Sequence, residues 1–426
     1  MEALKVCLGI LSAVISIWMT FLMLWQLFLI LFGFKKKTKD YQEHDPEARF
    51  LVLVPAHNEE NVIGDIVRNL QEMDYPRELY DFYIIADNCT DGTADRARAL
   101  GAQVIETRRE SPEEPTGKPV ALKKALDALG DYAARYDLMM IFDADNLMDR
   151  NMFREVNSQY IDKDKPDMIQ CYLGVKNKKG VVAWFDYVSF TLNNRFFMLA
   201  KHRMGVNSAI GGTGYAITTA YLRDRGGWTT RSLTEDFEIQ VEATIQRRRI
   251  LWNHNTRVYD EKPTRFCASV RQKIRWGQGY WYVIAHNMGK LWRAFFRREI
   301  RAAEFLSILT HMCNITAYPC LILQSLIALA TLLIDGKPPV LEVSLHSALF
   351  TVLMFIYSYY FLFFYADWTD NGLPFTLKRL AITVGGFFLN MIACFCNQTV
   401  GLIRCRDQAN WVKTEHRIGV RNLRET

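Results

Sequence analysis

Apolar positions are spread unevenly along the 426 residues. From Val6 to Phe34 the chain carries no Asp, Glu, Lys or Arg, and "KKKTK" follows at once. A helix over that run is about 43 Å long at about 1.5 Å per residue, enough to cross a hydrocarbon core of about 30 Å with tilt. A signal peptide has a shorter apolar region and a small-residue cleavage site, so this run is expected to persist as an anchor. The lysines behind it place the next segment in the cytosol. Further apolar runs at 305–334, 343–366 and 380–403 are rich in Phe, Leu, Ile and Tyr, with Tyr318 and Trp368 suited to the headgroup level. The pattern therefore predicts a multi-pass cell-membrane protein with one large cytosolic domain between spans.

That domain covers roughly 48–300. "RFLVLVPAHNEENVIGDIVRNL" runs apolar, turns after Pro55 and enters a helical period. "DFYIIADNCTDGTADRARAL" repeats the scheme, "GAQVIET" is a third strand and "YDLMMIFDAD" a fourth. Strands that are apolar throughout and alternate with helices predict an α/β domain whose parallel sheet is covered on both faces. Such sheets bind ligands at the carboxyl ends of their strands. His57, Asn58, Glu59, Asp87, Asp143 and Asp145 all fall there.

Asp143 and Asp145 end a strand one residue apart, where two carboxylates repel and are costly to bury without a counter-charge. A divalent cation that also holds a phosphorylated ligand supplies that charge, since hard ions take oxygen ligands. The other reading is a solvated turn with Asn146 and Asp149 as capping residues. No G-x-G-x-x-G follows the first strand and no P-loop motif occurs, which excludes the usual dinucleotide and P-loop sites; "GGTG" at 211–214 comes too late and is too short. Lys118 stands at a predicted helix start, where backbone N–H groups and an ammonium together suit phosphate, unless it is an ordinary surface lysine. Thr234, Glu235 and Asp236 also open a helix, a position that capping alone explains. On the next predicted helix Gln272, Arg275 and Trp276 fall near one face. Their aromatic and guanidinium groups suit a sugar ring and a diphosphate, and equally a helix lying on the membrane surface.

Composition narrows the partners. The net charge of +6 is modest and its excess sits in "KKKTK", "RAFFRREIR" and "RCR" near membrane boundaries, which fits a lipid bilayer and no nucleic acid. The nine cysteines show no paired spacing and no zinc pattern, so reduced thiols are expected.

Taken in order, Pro55-Ala56 with Asn58-Glu59, Asp87, Asp143-Ala144-Asp145, Thr234-Glu235-Asp236 and Gln272-x-x-Arg275-Trp276 resemble the motif set of processive, membrane-embedded family-2 glycosyltransferases, the cellulose, mixed-linkage glucan, chitin, poly-N-acetylglucosamine and hyaluronan synthases. The resemblance implies a GT-A nucleotide-sugar domain and inverting transfer from a UDP-sugar, UDP-glucose favoured over UDP-N-acetylglucosamine, onto a growing polysaccharide. It further implies that Ala56, Glu59 and Asp87 hold uracil and ribose, that Lys118 approaches the diphosphate, and that Asp143 binds nucleotide while Asp145 ligates Mg²⁺ or Mn²⁺. Asp236 would be the general base, Gln272, Trp276 and Glu235 would meet the acceptor, and Arg275 would stabilise departing UDP. Self-association or accessory secretion subunits are further partners of this kind. The implied division is an anchor with basic flank (1–47), a transferase domain (48–265), interface helices (266–304), transmembrane helices (305–404) and a tail (405–426).

Three features depart from the resemblance. Ile217, Thr218 and Thr219 follow "GGTGYA" where many relatives place an arginine, and one N-terminal span stands where several have two. In "NWVKTEHR" the residues Trp411, Lys413 and Thr414 resemble a loop that gates the UDP site, with different wording, and the stretch also reads as a basic membrane-flanking tail. One anchor plus three crossings would put this tail outside, whereas its Arg and Lys residues argue for inside. The alternatives to polymer synthesis are single transfer to a lipid carrier and a channel or assembly subunit that only senses nucleotide.

Overall fold

The computed structural model describes residues 2–111, 114–335 and 360–408. Trp411, Lys413 and Thr414 lie outside the described residues, as does most of the 343–366 run. The apolar N-terminal run forms α1 (Glu2–Gly33). The globular domain then proceeds through β1 (Phe50–Ala56), α2 (Ile63–Gln71), β2 (Tyr80–Asp87), α3 (Thr93–Ala99), β3 (Gln103–Thr107), α4 (Lys118–Leu129) and β4 (Leu138–Ile141). Next come β5 (Leu147–Met148), α5 (Met152–Asp162), β6 (Met168–Val175) and α6 (Val181–Asn193). After a π-helical turn (Asn194–Leu199) follow α7 (Ala200–Arg203), β7 (Tyr215–Thr218), α8 (Thr219–Asp224), α9 (Glu235–Ile245) and β8 (Ile250–Asp260).

Alternation along β1 explains the layers. Phe50, Val52 and Val54 pack with Ile63, Ile66 and Leu70 of α2, whereas Leu51 and Leu53 pack with Ala121, Leu122 and Ala125 of α4. Successive strand residues point to opposite faces, so a strand apolar at every position must be covered on both. The sheet order is β3-β2-β1-β4-β7-β6-β8-β5. The first four strands are parallel, as their pattern predicts. The second half corrects the expectation of a wholly parallel sheet: β7 runs antiparallel to β4 and β6, and β5 antiparallel to β8. β7 follows α6 and α7 just as a parallel strand follows its helix, so its reversed direction has no local signal in the sequence.

Beyond β8 the chain forms α10 (Phe266–Phe296), α11 (Ala302–Cys313), α12 (Ala317–Asp335), α13 (360–371) and α14 (Leu377–Ile403). Three stretches among the described residues are long and apolar enough to cross a membrane: Glu2–Gly33, Ala302–Ile334 and Leu377–Ile403. α1 and α12 pair antiparallel, with Trp18 Nε1 donating to Thr316 Oγ1 at 3.2 Å and Gln324 Nε2 to Ser12 Oγ at 2.7 Å. Arg203 of α7 donates to the carbonyls of Phe32, Lys35 and Lys37, serving orphan acceptors where α1 ends. α14 touches the globular part at both ends. Near its start Thr383 Oγ1 accepts from Trp184 Nε1 of α6 at 2.8 Å. Near its end Gln398 O accepts from Trp281 Nε1 of α10 at 2.8 Å, and a Cβ on Gly401 would come within 2.7 Å of the Gly277 backbone.

The end of α13 is fixed by a buried polar network. Arg195 of the π-helical turn pairs with Asp370, both nearly inaccessible, while Arg257 Nη1 donates to Asn371 Oδ1 at 2.6 Å and Tyr187 donates to Asp367. Removing one member of a buried pair strands its partner's charge, at a cost of about 3–5 kcal/mol. Arg195→Met is therefore expected to lower the melting temperature and to raise amide exchange across 360–371, and unchanged exchange there would refute this anchoring role.

Candidate active site

A cavity of about 1020 Å³ opens at the carboxyl ends of β1, β2 and β4 and extends to α10 and α11. Every described candidate from the sequence lines it: Ala56, Glu59 and Asp87 at one end; Lys118, Asp143 and Asp145 in the middle; Glu235, Asp236, Gln272, Arg275 and Trp276 beyond them. The volume is at the top of the range of about 300–1,000 Å³ usual for small-molecule pockets, leaving room for two reactants.

The end nearest β1 and β2 is built by two turns. Asn58 (φ 55°) and Asn88 (φ 47°) adopt left-handed conformations just after β1 and β2, which asparagine tolerates better than most residues. His57 Nδ1 lies 2.7 Å from Asp87 O, tying the turns together. Asp87 is buried and accepts from Thr107 Oγ1 at 2.8 Å and Asn88 Nδ2 at 2.9 Å. These bonds fix a carboxylate at the strand end.

Asp143 and Asp145 differ in their surroundings. Asp143 Oδ1 accepts from Lys118 Nζ at 2.7 Å, and the same ammonium reaches Gly212 O at 2.5 Å and lies 3.6 Å from Glu235 Oε1. Burial alone would lower Lys118, but Asp143 and Glu235 outweigh it and hold the ammonium above its ordinary range. Asp145 is buried, with Oδ2 accepting from Glu261 N at 2.9 Å. Asn146 caps no helix; its Oδ1 takes the Asp143 N–H at 3.0 Å and closes the turn that sets the two carboxylates apart. Asp149 accepts from Arg257 N at 2.9 Å and belongs to the β5–β8 side.

Among the described residues no three His, Cys, Asp or Glu side chains are grouped to hold a metal by themselves. That fits Mg²⁺ or Mn²⁺ at a nucleotide site, where one or two carboxylates combine with phosphate oxygens and water. Asp145 and Asp143 offer such a partial set.

At the far side, α9 starts on Glu235 with its helix N-terminus toward the cavity. Thr234 makes no side-chain cap; instead Asp236 Oδ1 accepts from Phe237 N at 2.8 Å, and Glu238 Oε2 takes the N–H groups of Arg231 and Ser232. The acidic triplet thus does more than cap. Burial, with Glu235 beside it, pushes the Asp236 carboxyl up to about 7. Gly212 (φ 76°) passes so close that a Cβ there would sit 3.3 Å from Asp236 Oδ2. Positive φ and proximity both require glycine.

Several lining residues escape the sequence reading. β8 ends in Asp260, Glu261 and Lys262, with Lys262 Nζ 2.7 Å from Asp260 Oδ2. Burial and the nearby Asp145 carboxylate raise Asp260 to about 6, against the pull of Lys262. The acidic residues of "RVYDEK" end a strand of mixed composition, so the all-apolar run that marked β4 is absent there. Tyr280, four residues beyond Trp276, also lines the cavity, as do His311 and Gln408, which nothing local in the sequence marks.

A four-stranded parallel half-sheet, a mixed extension and carboxylates at the strand ends over one cavity define a GT-A glycosyltransferase fold with terminal apolar helices. The chain belongs to the glycosyltransferase-like family 2, whose profile matches residues 46–279. A beta-monoglucosyldiacylglycerol synthase of Nostoc sp. is 26% identical over 245 residues, covering 55% of this chain and 51% of that protein. The probable glycosyltransferase YdaM of Bacillus subtilis is 22% identical over 290 residues, 66% of this chain and 68% of the relative. The chain thus spans about half the length of the glucosyl-lipid synthase it matches. Among solved structures, the mannosyltransferase PcManGT from Pyrobaculum calidifontis, in complex with GDP-Man and Mn²⁺, superposes with a TM-score of 0.60 at 16% identity, over 92% of this chain and 99% of its own. That likeness is one of fold.

Proposed function

We propose that the chain is an inverting hexosyltransferase that uses a UDP-sugar, glucose favoured, to extend a β-linked polysaccharide at the cytosolic face of the cell membrane and pass it outward. The observation that carries the reading is the meeting of Asp236, Lys118–Asp143 and Gln272-x-x-Arg275-Trp276 in one cavity. Ala56, Glu59 and Asp87 hold uracil and ribose, and Lys118 and Arg275 face the diphosphate. Gln272, Trp276 and Glu235 seat the acceptor. Asp236 accepts the proton of the attacking hydroxyl, which displaces UDP with inversion. Mg²⁺ or Mn²⁺ held by Asp145, with Asp143 close by, would neutralise charge building on the diphosphate. Lys118 and Arg275 act in the same sense as fixed cations.

The contacts at both ends of α14 support its lying along α6 and α10 on the membrane surface, not crossing. The tail then starts on the cytosolic side, in agreement with its basic residues. Leu233 N donates to Gln408 Oε1 at 2.8 Å, so the described start of the tail meets a cavity-lining residue. This supports a gating role for Trp411, Lys413 and Thr414.

A second reading is single glucosyl transfer to a membrane lipid. It is favoured by the 26% identity to a glucosyl-lipid synthase and by Phe197 and Tyr280, which line the cavity against His311 of α11. UDP release by the purified protein with each UDP-sugar, followed by sizing of the product, separates the two. A long homopolymer establishes the synthase, a one-sugar lipid the second reading, and no turnover refutes both.

The raised Asp236 carboxyl gives a pH prediction. A base works only when deprotonated, and a group near 7 is increasingly neutral below that pH. The kcat/KM is expected to fall about tenfold per pH unit on the acid side, from a midpoint well above the ordinary aspartate value of about 3.9. A rate level down to pH 5 would count against Asp236 as the base.

A further inference from the structure

Past Asp236 the cavity reaches α11, where Phe197 and Tyr280 pack against the His311 ring. Gln272, Trp276 and Tyr280 are spaced i, i+4, i+8 on α10 and share a stripe. Tyr280 stacks on Phe237, the residue after Asp236, with ring centroids 4.1 Å apart and planes at 11°.

Three hydrogen bonds fix where the Tyr280 proton points. Ile210 N donates to Gln240 Oε1 at 3.3 Å, which turns the amide so that Nε2 faces His311 Nδ1 at 3.2 Å. An amide nitrogen only donates, so Nδ1 accepts and the neutral imidazole carries its proton on Nε2. His311 Nε2 is 3.4 Å from Tyr280 Oη. With that N–H directed at the phenol oxygen, the phenol proton is left to aim into the cavity. Burial, helped by the Asp236 charge, raises the phenol, so the proton stays on oxygen at working pH. Gln240 is one turn after Asp236 on α9, so the helix that carries the base also starts the relay.

We propose that Tyr280 orients the acceptor: its O–H, aimed by the Gln240–His311 relay, donates to an oxygen of a sugar or glyceryl group beside the hydroxyl that Asp236 deprotonates. His311 is the positioning residue behind it. The assignment rests on the transferase reading above, and Tyr280 lengthens the acceptor stripe by one helical turn.

The test uses the full-length protein in nanodiscs, with UDP-glucose as donor and cellobiose or dioleoylglycerol as acceptor. Tyr280→Phe keeps the ring on Phe237 and removes only the hydroxyl. The half-saturating acceptor concentration is expected to rise about tenfold, the scale of one neutral hydrogen bond, with calorimetric UDP affinity unchanged. His311→Phe should shift it in the same direction, and the double variant should be no worse than Tyr280→Phe alone. Whichever acceptor shows the shift identifies its source as glycan or lipid. An unchanged acceptor dependence in Tyr280→Phe, or fully additive losses, overturns the proposal. Nitrogen-15 spectra of histidine-labelled protein, with His311 assigned by its loss in His311→Phe, decide the relay independently of turnover. Protonation on Nε2 alone is expected; an Nδ1–H tautomer or an imidazolium refutes it. If wild type transfers to neither acceptor, the functional reading fails while the spectra still judge the relay.

Discussion

Asp236→Asn is expected to abolish sugar transfer while UDP binding stays within a few-fold of wild type. The substitution keeps the shape of the side chain, and its carbonyl oxygen can still accept the Phe237 N–H, which Asp236 Oδ1 takes at 2.8 Å. It removes the one property a base needs, a lone pair that gains a proton near neutral pH. Loss of general-base catalysis costs about 10²–10⁴-fold, and a hydroxyl that must lose its proton as it attacks has no neighbouring substitute. Glu235 is the nearest carboxylate in sequence, but it is buried and lies 3.6 Å from Lys118. The nucleotide contacts proposed for Ala56, Glu59 and Asp87 lie on other elements, so UDP affinity measured by calorimetry should survive. Lost UDP binding would overturn the assignment.

The same variant carries a stability signature. The Asp236 carboxyl is raised in the folded protein to about 7, so folding favours its protonated form. The contribution is fully present below the unfolded value of about 3.9 and is lost as pH rises through 7. Asparagine is neutral at every pH. Asp236→Asn should therefore raise the melting temperature at pH 8 and leave it little changed at pH 4. Activity lost together with stability at pH 8 would instead indicate a distorted site.

Replacing Asp145 by Asn should act on the other reactant. Asp145 is buried and held by the Glu261 N–H at 2.9 Å, a geometry asparagine can keep through its carbonyl oxygen. What disappears is the charge that would balance a divalent cation beside a diphosphate. UDP affinity in Mn²⁺ should fall by about 100-fold or more, since losing a group that merely orients a metal ligand costs about 10–100-fold. Affinity in EDTA should be nearly that of wild type in EDTA. Unchanged affinity in Mn²⁺ would remove Asp145 from the metal site. The two variants form a pair, one losing turnover with nucleotide retained, the other losing metal-assisted nucleotide binding.

Much of this was legible before any coordinates. The runs that became β1 and β4 are apolar at every position, as is β2 from Phe82 to Ala86, and a strand that hides both faces has few places to be other than inside a covered parallel sheet. Their polar residues could then sit only at the carboxyl ends, which is where Glu59, Asp87, Asp143 and Asp145 lie. The spacing of Gln272, Arg275 and Trp276 was likewise readable, because helical periodicity places them on nearly one side. By contrast β7, antiparallel between β4 and β6, had no local signature. Its direction follows from how the chain returns after α6, a matter of packing between distant segments.

The sequence by itself determined the long apolar N-terminal helix, the parallel half of the sheet and the residue types at its rim. Those follow from local periodicity and from the cost of burying polar backbone and charge. Only the tertiary structure decided that Asp260 and Lys262 join the same cavity, that Lys118 bridges Asp143 and Gly212, that α14 touches α6 and α10 near its two ends, and that His311 on α11 faces Tyr280. Each of these contacts joins elements far apart in the chain. Their geometry is set by the joint packing of sheet, interface helices and apolar helices, which no window of sequence contains.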